Sequence, residues 1–502
     1  MATYGSSLPS PDAHPGSAPV GYGPPEVSYS SAMAVNQVDP AVAQAVFKAY
    51  DVRGTVPDQI DESLARATGR AFVRVVADGD ASTGRVVVAH DMRPSSPTLA
   101  GAFAEGATEA GADVVMVGLC STDELYFASG HLGLPGAMFT ASHNPAGYNG
   151  IKMCRAGAVP VGTETGLHQI RDLVVSGEVT AASSPGTIEE TDVLEAYAAH
   201  LLSLAPVRGR RLKVVADAGN GMAGHTAPAV FGRIGAEQVE LIPMYFELDG
   251  TFPNHVANPL DESTLSDLRA RVVAEHADVG LAFDGDADRC FLVDEHGRAV
   301  DNSAVTALIA SRALANEPGA RVIHNLITSR AVPEIIEESG GVPIRTRVGH
   351  SFIKAVMAQT GAVFGGEHSG HFYFRDFWRA DSGLLAALHV LGALAESDRA
   401  LSELLAPYER YPMSGEINST IQGGAAAQTR IVTELEEIYG TRQGIELDHL
   451  DGLTVTHADW RFNVRASNTE PLLRLNVEGK DLTTMERVRD EVLALIRKEP
   501  TP

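Results

Sequence analysis

Val279-Gly-Leu-Ala-Phe283 runs without a break into Asp284-Gly-Asp-Ala-Asp-Arg289. Five apolar residues suit one buried strand, and the turn behind them carries three carboxylates at i, i+2 and i+4. The same pattern recurs elsewhere. Arg85-Val-Val-Val-Ala-His-Asp91 and Lys213-Val-Val-Ala-Asp217 are β-branched runs that pass through polar or Gly-rich turns into Ala/Leu-rich helical stretches. One such stretch, Thr98 to Ala112, ends at Gly111, as a helix with a glycine cap would. Strands alternating with helices predict α/β layers. From about Ser414 the character changes: strand-like Thr454-Val-Thr456 and Leu472-Leu-Arg-Leu-Asn-Val477 precede a helical Met485 to Lys498, which predicts a smaller α+β domain at the C-terminus.

A chain of 502 residues exceeds what one hydrophobic core supports, so several domains are expected. Residues 1–36 are rich in Pro, Ser and Gly and hold no Lys or Arg, so they read as a disordered tail without the basic and apolar regions of a secretory signal. The whole sequence is 44% hydrophobic and 21% charged, the balance of a soluble globular protein. The longest apolar stretch, Gly383 to Ala395, contains His389 and is too short to cross a bilayer, so no membrane partner is expected. A formal charge of −25 excludes a broad nucleic-acid-binding surface, while leaving room for a few Arg and Lys to bind a small phosphorylated molecule inside a cleft. Cys120, Cys154 and Cys290 fit neither a disulfide framework nor a zinc site; they read as buried small residues of a protein from a reducing cytoplasm.

The carboxylates of Asp284, Asp286 and Asp288 can converge on one hard cation, as Mg²⁺ prefers, and would repel one another without something positive among them. With Glu295 they also match positions 1, 3, 5 and 12 of an EF-hand, but Arg289 stands where that loop needs its turn glycine, and a strand leads in rather than a helix. Thr140-Ala-Ser-His-Asn-Pro145 follows apolar Ala137-Met-Phe139 and leads to Lys152. It lacks the Gly-x-Ser-x-Gly frame of a nucleophile elbow, and reads either as a plain turn or as a serine presented to carry a phosphoryl group. Gly219-Asn-Gly-Met-Ala-Gly224 fits a dinucleotide fingerprint with Glu237 or Glu240 downstream, the best support for an oxidoreductase, although Pro228 is expected to interrupt the following helix; a tight strand-to-helix turn is the favoured reading. Gly366-Glu-His-Ser-Gly-His371 packs groups suited to a pair of sugar hydroxyls, or forms a structural hairpin with a buried histidine. Arg465-Ala-Ser-Asn-Thr-Glu-Pro471 is a phosphate cradle or a polar surface turn.

Taken in order, and with Lys48-Ala-Tyr-Asp-Val-Arg-Gly54 at the front, these segments resemble the α-D-phosphohexomutase family, and most closely its bacterial phosphomannomutase/phosphoglucomutase branch, from about residue 47 to the C-terminus. The resemblance implies an α/β fold of three related α/β domains plus a smaller C-terminal α+β domain around a central cleft. Behind the tail, the divisions implied are a phosphoserine-loop domain over 37–195, a metal-binding domain over 196–298, a sugar-binding domain over 299–411 and a phosphate-binding domain over 412–502.

The resemblance also assigns roles. Ser142 would carry the phosphoryl group and, with Asp284, Asp286 and Asp288, hold Mg²⁺. Arg289 would point from the metal loop toward the phosphoserine. Lys152, Arg53, His350 and His371 are the candidates for proton transfer and phosphate stabilisation. Tyr50 and Arg289 would bind substrate, Glu367 and Ser369 would read the sugar hydroxyls, and Arg465, Ser467, Asn468 and Thr469 would hold the non-reacting phosphate. The implied reaction interconverts mannose 6-phosphate and mannose 1-phosphate, with hexose 1,6-bisphosphate as intermediate and activator, in a monomer or homodimer. Phosphoglucomutase, dual-specificity or phosphoglucosamine mutase activity are the alternatives. One departure stands out: Asn325-Leu-Ile-Thr-Ser-Arg330 lacks the lysine that similar enzymes often carry there, with Arg330 or Arg345 as substitutes.

Overall fold

The computed structural model describes residues 38–76, 84–467 and 472–498, without the side chains of 350 and 351. The expected tail therefore lies outside the described residues.

The strand Val279–Phe283 forms as the apolar run requires, and all five of its residues are buried. It pairs in parallel with Leu212–Asp217 and antiparallel with Cys290–Asp294, so Asp284 to Arg289 is the turn of a hairpin at the strand's carboxyl end. Val239–Met244 completes this four-stranded sheet. A seven-stranded sheet precedes it. Its centre is Arg85–His90, parallel to both Gly136–Phe139 and Asp113–Leu119. Tyr148–Arg155 runs antiparallel to Gly136–Phe139 and sets Lys152 opposite Met138. The third sheet orders Val342–Thr346, Arg321–Asn325, Phe364–Gly366, Phe372–Phe374 and Ala380–Asp381. The fourth, from Met413–Thr420 to Leu472–Gly479, is antiparallel throughout and carries the helices Gly424–Gly440 and Leu482–Ile496.

One hydrophobic core is continuous through the first three sheets, taking in Tyr197, Phe283 and Phe372, whereas the C-terminal sheet builds its own around Leu435, Tyr439 and Phe462. The sequence pattern changes near Ser414 where the chain enters this separate antiparallel sheet with a core of its own. The helix Gly383–Ala395 is the apolar stretch, buried almost along its length, and no described helix is long and apolar enough to cross a membrane. All three cysteines are buried, and burial pushes each thiol up from its ordinary pKa, which leaves them inert.

One expectation fails. The helix Ala223–Ile234 runs straight through Pro228. The N–H that proline lacks would reach only as far as Gly224, in the helix's own first turn, and Pro228 is exposed, so its ring displaces no packing.

Candidate active site

Ser142 follows the strand Gly136–Phe139 with a left-handed backbone, φ 50°, unusual for a residue with a side chain. Two contacts hold it there. The Thr140 hydroxyl accepts a hydrogen bond from the Ser142 amide at 2.9 Å. The fully buried Arg93 guanidinium donates to the carbonyls of Ser142, Asn144, Pro145 and Tyr148 at 2.7 to 3.0 Å, while Asp91 balances its charge at 3.2 Å.

In this conformation the Ser142 hydroxyl donates to Asp284 Oδ2 at 2.8 Å. Arg289 donates from Nε to the same oxygen at 2.8 Å, and its Nη2 lies 3.4 Å from Ser142 Oγ and contacts His143. Lys152 Nζ donates to Oδ2 of both Asp286, at 2.6 Å, and Asp288, at 2.5 Å. Each of these two aspartates is left with a buried Oδ1 that has no hydrogen-bond partner among the described residues. Oxygens of all three aspartates lie within 4.8 Å of one another. Three carboxylates gathered in a buried hairpin, with Asp286 Oδ1 unpartnered and Asp288 Oδ1 facing only His371 at 3.5 Å, fit a small divalent cation.

The electrostatics agree. Burial, with Asp288 and Asp286 close by, pushes the Asp284 carboxyl up to about 7 despite Arg289. Burial works against the Lys152 ammonium, but Asp286 and Asp288 outweigh it and hold its pKa well above the ordinary value. Perturbed groups this close together mark a place built for charge chemistry.

Further along, His371 Nε2 stands 3.5 Å from Asp288 Oδ1 and 3.8 Å from Asp381 Oδ2, and its Nδ1 is 3.1 Å from the Ser369 hydroxyl. Glu367 lies 3.9 Å from the same ring and accepts from Tyr373, Asn325 and the Gly349 amide. Asn325 also bonds His368, which reaches Glu416, and Glu416 accepts from Arg465 at 2.7 Å. Glu367, Asn325, His368, Glu416 and Arg465 thus follow one another in polar contact, the step from His368 to Glu416 at 3.9 Å being longer than a hydrogen bond.

Family models described as phosphoglucomutase/phosphomannomutase domains I, II, III and the C-terminal domain match residues 44–179, 195–297, 301–411 and 416–495. The chain belongs to the phosphoglucomutase/phosphomannomutase family. A protein described as phosphohexose mutases from Xanthomonas campestris pv. campestris (strain B100) is 41% identical over 90% of this chain and 99% of its own. A phosphomannomutase of Escherichia coli (strain K12) is 38% identical over 90% and 99%. A crystal structure of a phosphoglucomutase/phosphomannomutase family protein from Burkholderia thailandensis superimposes with a TM-score of 0.82 at 32% identity, covering 91% of this chain and 99% of that one. This phosphohexomutase family consists of four-domain isomerases, and the four α/β domains of the chain are theirs.

Other residues singled out from the sequence fall around this frame. Arg53 donates to Asn144 of the serine loop at 2.8 Å and pairs with Asp51. Tyr50 packs edge-on against Phe352, with centroids 6.0 Å apart, and burial raises its hydroxyl pKa against the pull of Arg347. Arg474 reaches toward Ser467 at 3.4 Å. Asn468, Thr469 and the His350 side chain lie outside the described residues.

The glycines of Gly219 to Gly224 serve packing here: a Cβ on Gly221 would meet the Gly285 carbonyl at 2.7 Å, and Met222 donates its amide to that carbonyl. Both arginines offered in place of the missing lysine are engaged with the C-terminal part of the chain. Arg330 lies over Tyr411 and pairs with Glu478 at 3.0 Å; Arg345 pairs with Asp448 at 3.2 Å.

Sequence reading passed over Arg93, Thr122, Asn325 and Asp381. Only Asn325 left a signal, as the first residue of the departing turn: its Oδ1 accepts from the Ile327 and Thr328 amides and fixes that turn without a lysine.

Proposed function

We propose that the chain is a magnesium-dependent phosphomannomutase that interconverts mannose 6-phosphate and mannose 1-phosphate through a phosphorylated Ser142 and a hexose 1,6-bisphosphate, in the cytoplasm. The observation that carries this reading is the 2.8 Å hydrogen bond from Ser142 Oγ to one of three clustered, buried aspartates, of which Asp286 keeps an unpartnered oxygen.

Phosphoryl transfer has a loose transition state with charge on the equatorial oxygens, so positioning and neutralisation matter most. Mg²⁺ held by Asp284, Asp286, Asp288 and the phosphorylated Ser142 would supply neutralisation there. Arg289, 3.4 Å from Ser142 Oγ, and Lys152, bonded to Asp286 and Asp288, would add fixed positive charge near the transferring group. The phosphorus–Oγ bond of Ser142 breaks as a bond to a sugar hydroxyl forms, and that hydroxyl must release a proton. His371, held between Asp288 and Asp381, would accept it, with His350 the alternative. Glu367, Ser369 and Tyr50 would orient the sugar, while Arg465, Ser467, Asn468 and Thr469 would grip whichever phosphate is not reacting. Arg53 would steady the serine loop through Asn144.

Purified protein should be assayed with mannose 1-phosphate, glucose 1-phosphate and glucosamine 1-phosphate, each with a trace of hexose 1,6-bisphosphate, while intact mass is measured for one phosphoryl group on Ser142. Mannose 1-phosphate as the best substrate is expected. No turnover of any of the three, or undiminished turnover by Ser142→Ala, would overturn the reading. Dual use of mannose and glucose phosphates is the second reading, supported by the family description that names both mutases.

A further inference from the structure

The helix Thr122–Leu132 begins against the metal hairpin. The Thr122 amide donates to the Asp286 carbonyl at 3.0 Å, and its hydroxyl donates to Asp286 Oδ2 at 2.6 Å, so Thr122 and Lys152 together occupy one oxygen of Asp286 and leave the other, Oδ1, unpartnered. The next residue, Asp123, is completely buried and points the other way. Its carboxylate accepts from three hydroxyls: Ser121 at the helix's own cap, Tyr197 at 2.7 Å from the helix Leu194–Leu204, and Ser382 at 2.5 Å.

Ser382 is itself a cap, since its Oγ accepts from the Leu385 amide at the start of the helix Gly383–Ala395. Its chain neighbour is Asp381, which pairs with buried Lys354 at 2.7 Å and faces His371. One carboxylate therefore stands a single residue away from a group that fixes the metal hairpin and is bonded to a hydroxyl a single residue away from a group that fixes His371.

We infer that Asp123 is a positioning residue of the reaction: by tying Ser382 and Tyr197 to the first turn of Thr122–Leu132, it aligns Asp286 through Thr122 and His371 through Asp381. The inference rests on Ser142 and the aspartates being the phosphoryl-transfer centre. A carboxylate with three hydroxyl donors is satisfied only as an acceptor; an amide in its place turns one end into a donor that at least one hydroxyl must accommodate by turning away. Partners that orient metal ligands from behind typically change metal affinity by about 10- to 100-fold when altered.

The experiment compares wild type, Asp123→Asn, Thr122→Val and Ser382→Ala, using Mn²⁺ titration followed by electron paramagnetic resonance, together with kcat, KM for sugar phosphate and Tm. Asp123→Asn should weaken Mn²⁺ binding at least about tenfold and lower kcat at least about tenfold, with KM changed little. Thr122→Val should reproduce the Mn²⁺ loss. Ser382→Ala should lower kcat while Mn²⁺ affinity stays within about twofold. The inference is overturned if Asp123→Asn lowers only Tm, with Mn²⁺ affinity and kcat within about twofold of wild type, for that is what a purely structural carboxylate would do. Wild-type protein that binds Mn²⁺ but turns over no hexose phosphate would sink the functional reading instead, while the Mn²⁺ arm still decides whether Asp123 aligns the hairpin.

Discussion

The main-chain oxygen of Ser142 lies so close to Gly285 that a Cβ on that glycine would sit 2.4 Å from it. Two loops from different sheets, one bearing the serine and the other the aspartates, therefore touch through bare backbone at this point. Gly285→Ala must push them apart, because the opposing atom is a carbonyl rather than the tip of a flexible side chain. A shift of about 1 Å in reacting groups costs on the order of 100-fold in rate. We expect kcat to fall by about that factor with a modest loss of stability. Steady-state kinetics beside a thermal melt will check this; kcat within about twofold of wild type would show that the loops tolerate separation.

Arg93 is the second support of the serine loop. Its guanidinium meets four carbonyls of the loop and one buried carboxylate. Arg93→Met removes those donors and leaves Asp91 buried without its partner, and breaking a buried pair in this way costs on the order of 3–5 kcal/mol. Denaturant titration should show a loss of that size. Hydrogen exchange should localise it to residues 142–148, and unchanged protection there would contradict the assigned support.

Much of the site was legible because its residues sit in short loops directly behind apolar strands. Asp284, Asp286 and Asp288 are consecutive alternating positions of one turn, and Ser142 lies three residues past Phe139. What escaped detection depends on long-range contacts. Nothing in Asp91-Met-Arg93 announces that the arginine will bond to Asn144, and Thr122 is an ordinary helix-start residue until the fold brings Asp286 to it. The roles of Gly221 and Gly285 were equally hidden, because a glycine required for close approach looks the same in sequence as one required for a turn. The uninterrupted helix at Pro228 has the converse cause: a strong local breaker was overruled because it fell in the first turns, on an exposed face.

The unpartnered oxygen of Asp286, with Asp284 and Asp288 beside it, leads to a prediction that does not involve turnover. A cation bound by the folded hairpin alone stabilises the native state, by about 2.7 kcal/mol at a concentration one hundred times its Kd. Tm should therefore rise with added Mg²⁺ and fall back with a chelator. In Asp286→Asn/Asp288→Asn the rise should vanish. A Tm indifferent to Mg²⁺ in wild type would mean that the hairpin relies on Lys152 and Arg289 alone.

Glu124 supplies a test of pH dependence away from the aspartates. It occupies the first turn of Thr122–Leu132, where its side chain completes the capping box with Ser121. Burial is the main cause that pushes its carboxyl from 4.5 up to about 8, with the neighbouring Asp123 adding to it. A folded-state pKa above the unfolded one means that the proton is held more tightly by the native protein. The contribution to stability is therefore fully present below about pH 4.5, and is lost progressively as pH rises toward about 8. Glu124→Gln keeps the cap's shape and removes the ionisation. Relative to wild type, it should match stability near pH 4.5 and become more stable by on the order of 2–4 kcal/mol at pH 8. Denaturant midpoints measured at pH 4.5, 6 and 8 will show whether the gap opens in that direction; a Gln variant less stable at pH 8 would mean that the ionised carboxylate, through its bond to the Ser121 amide, stabilises the cap by more than its burial costs.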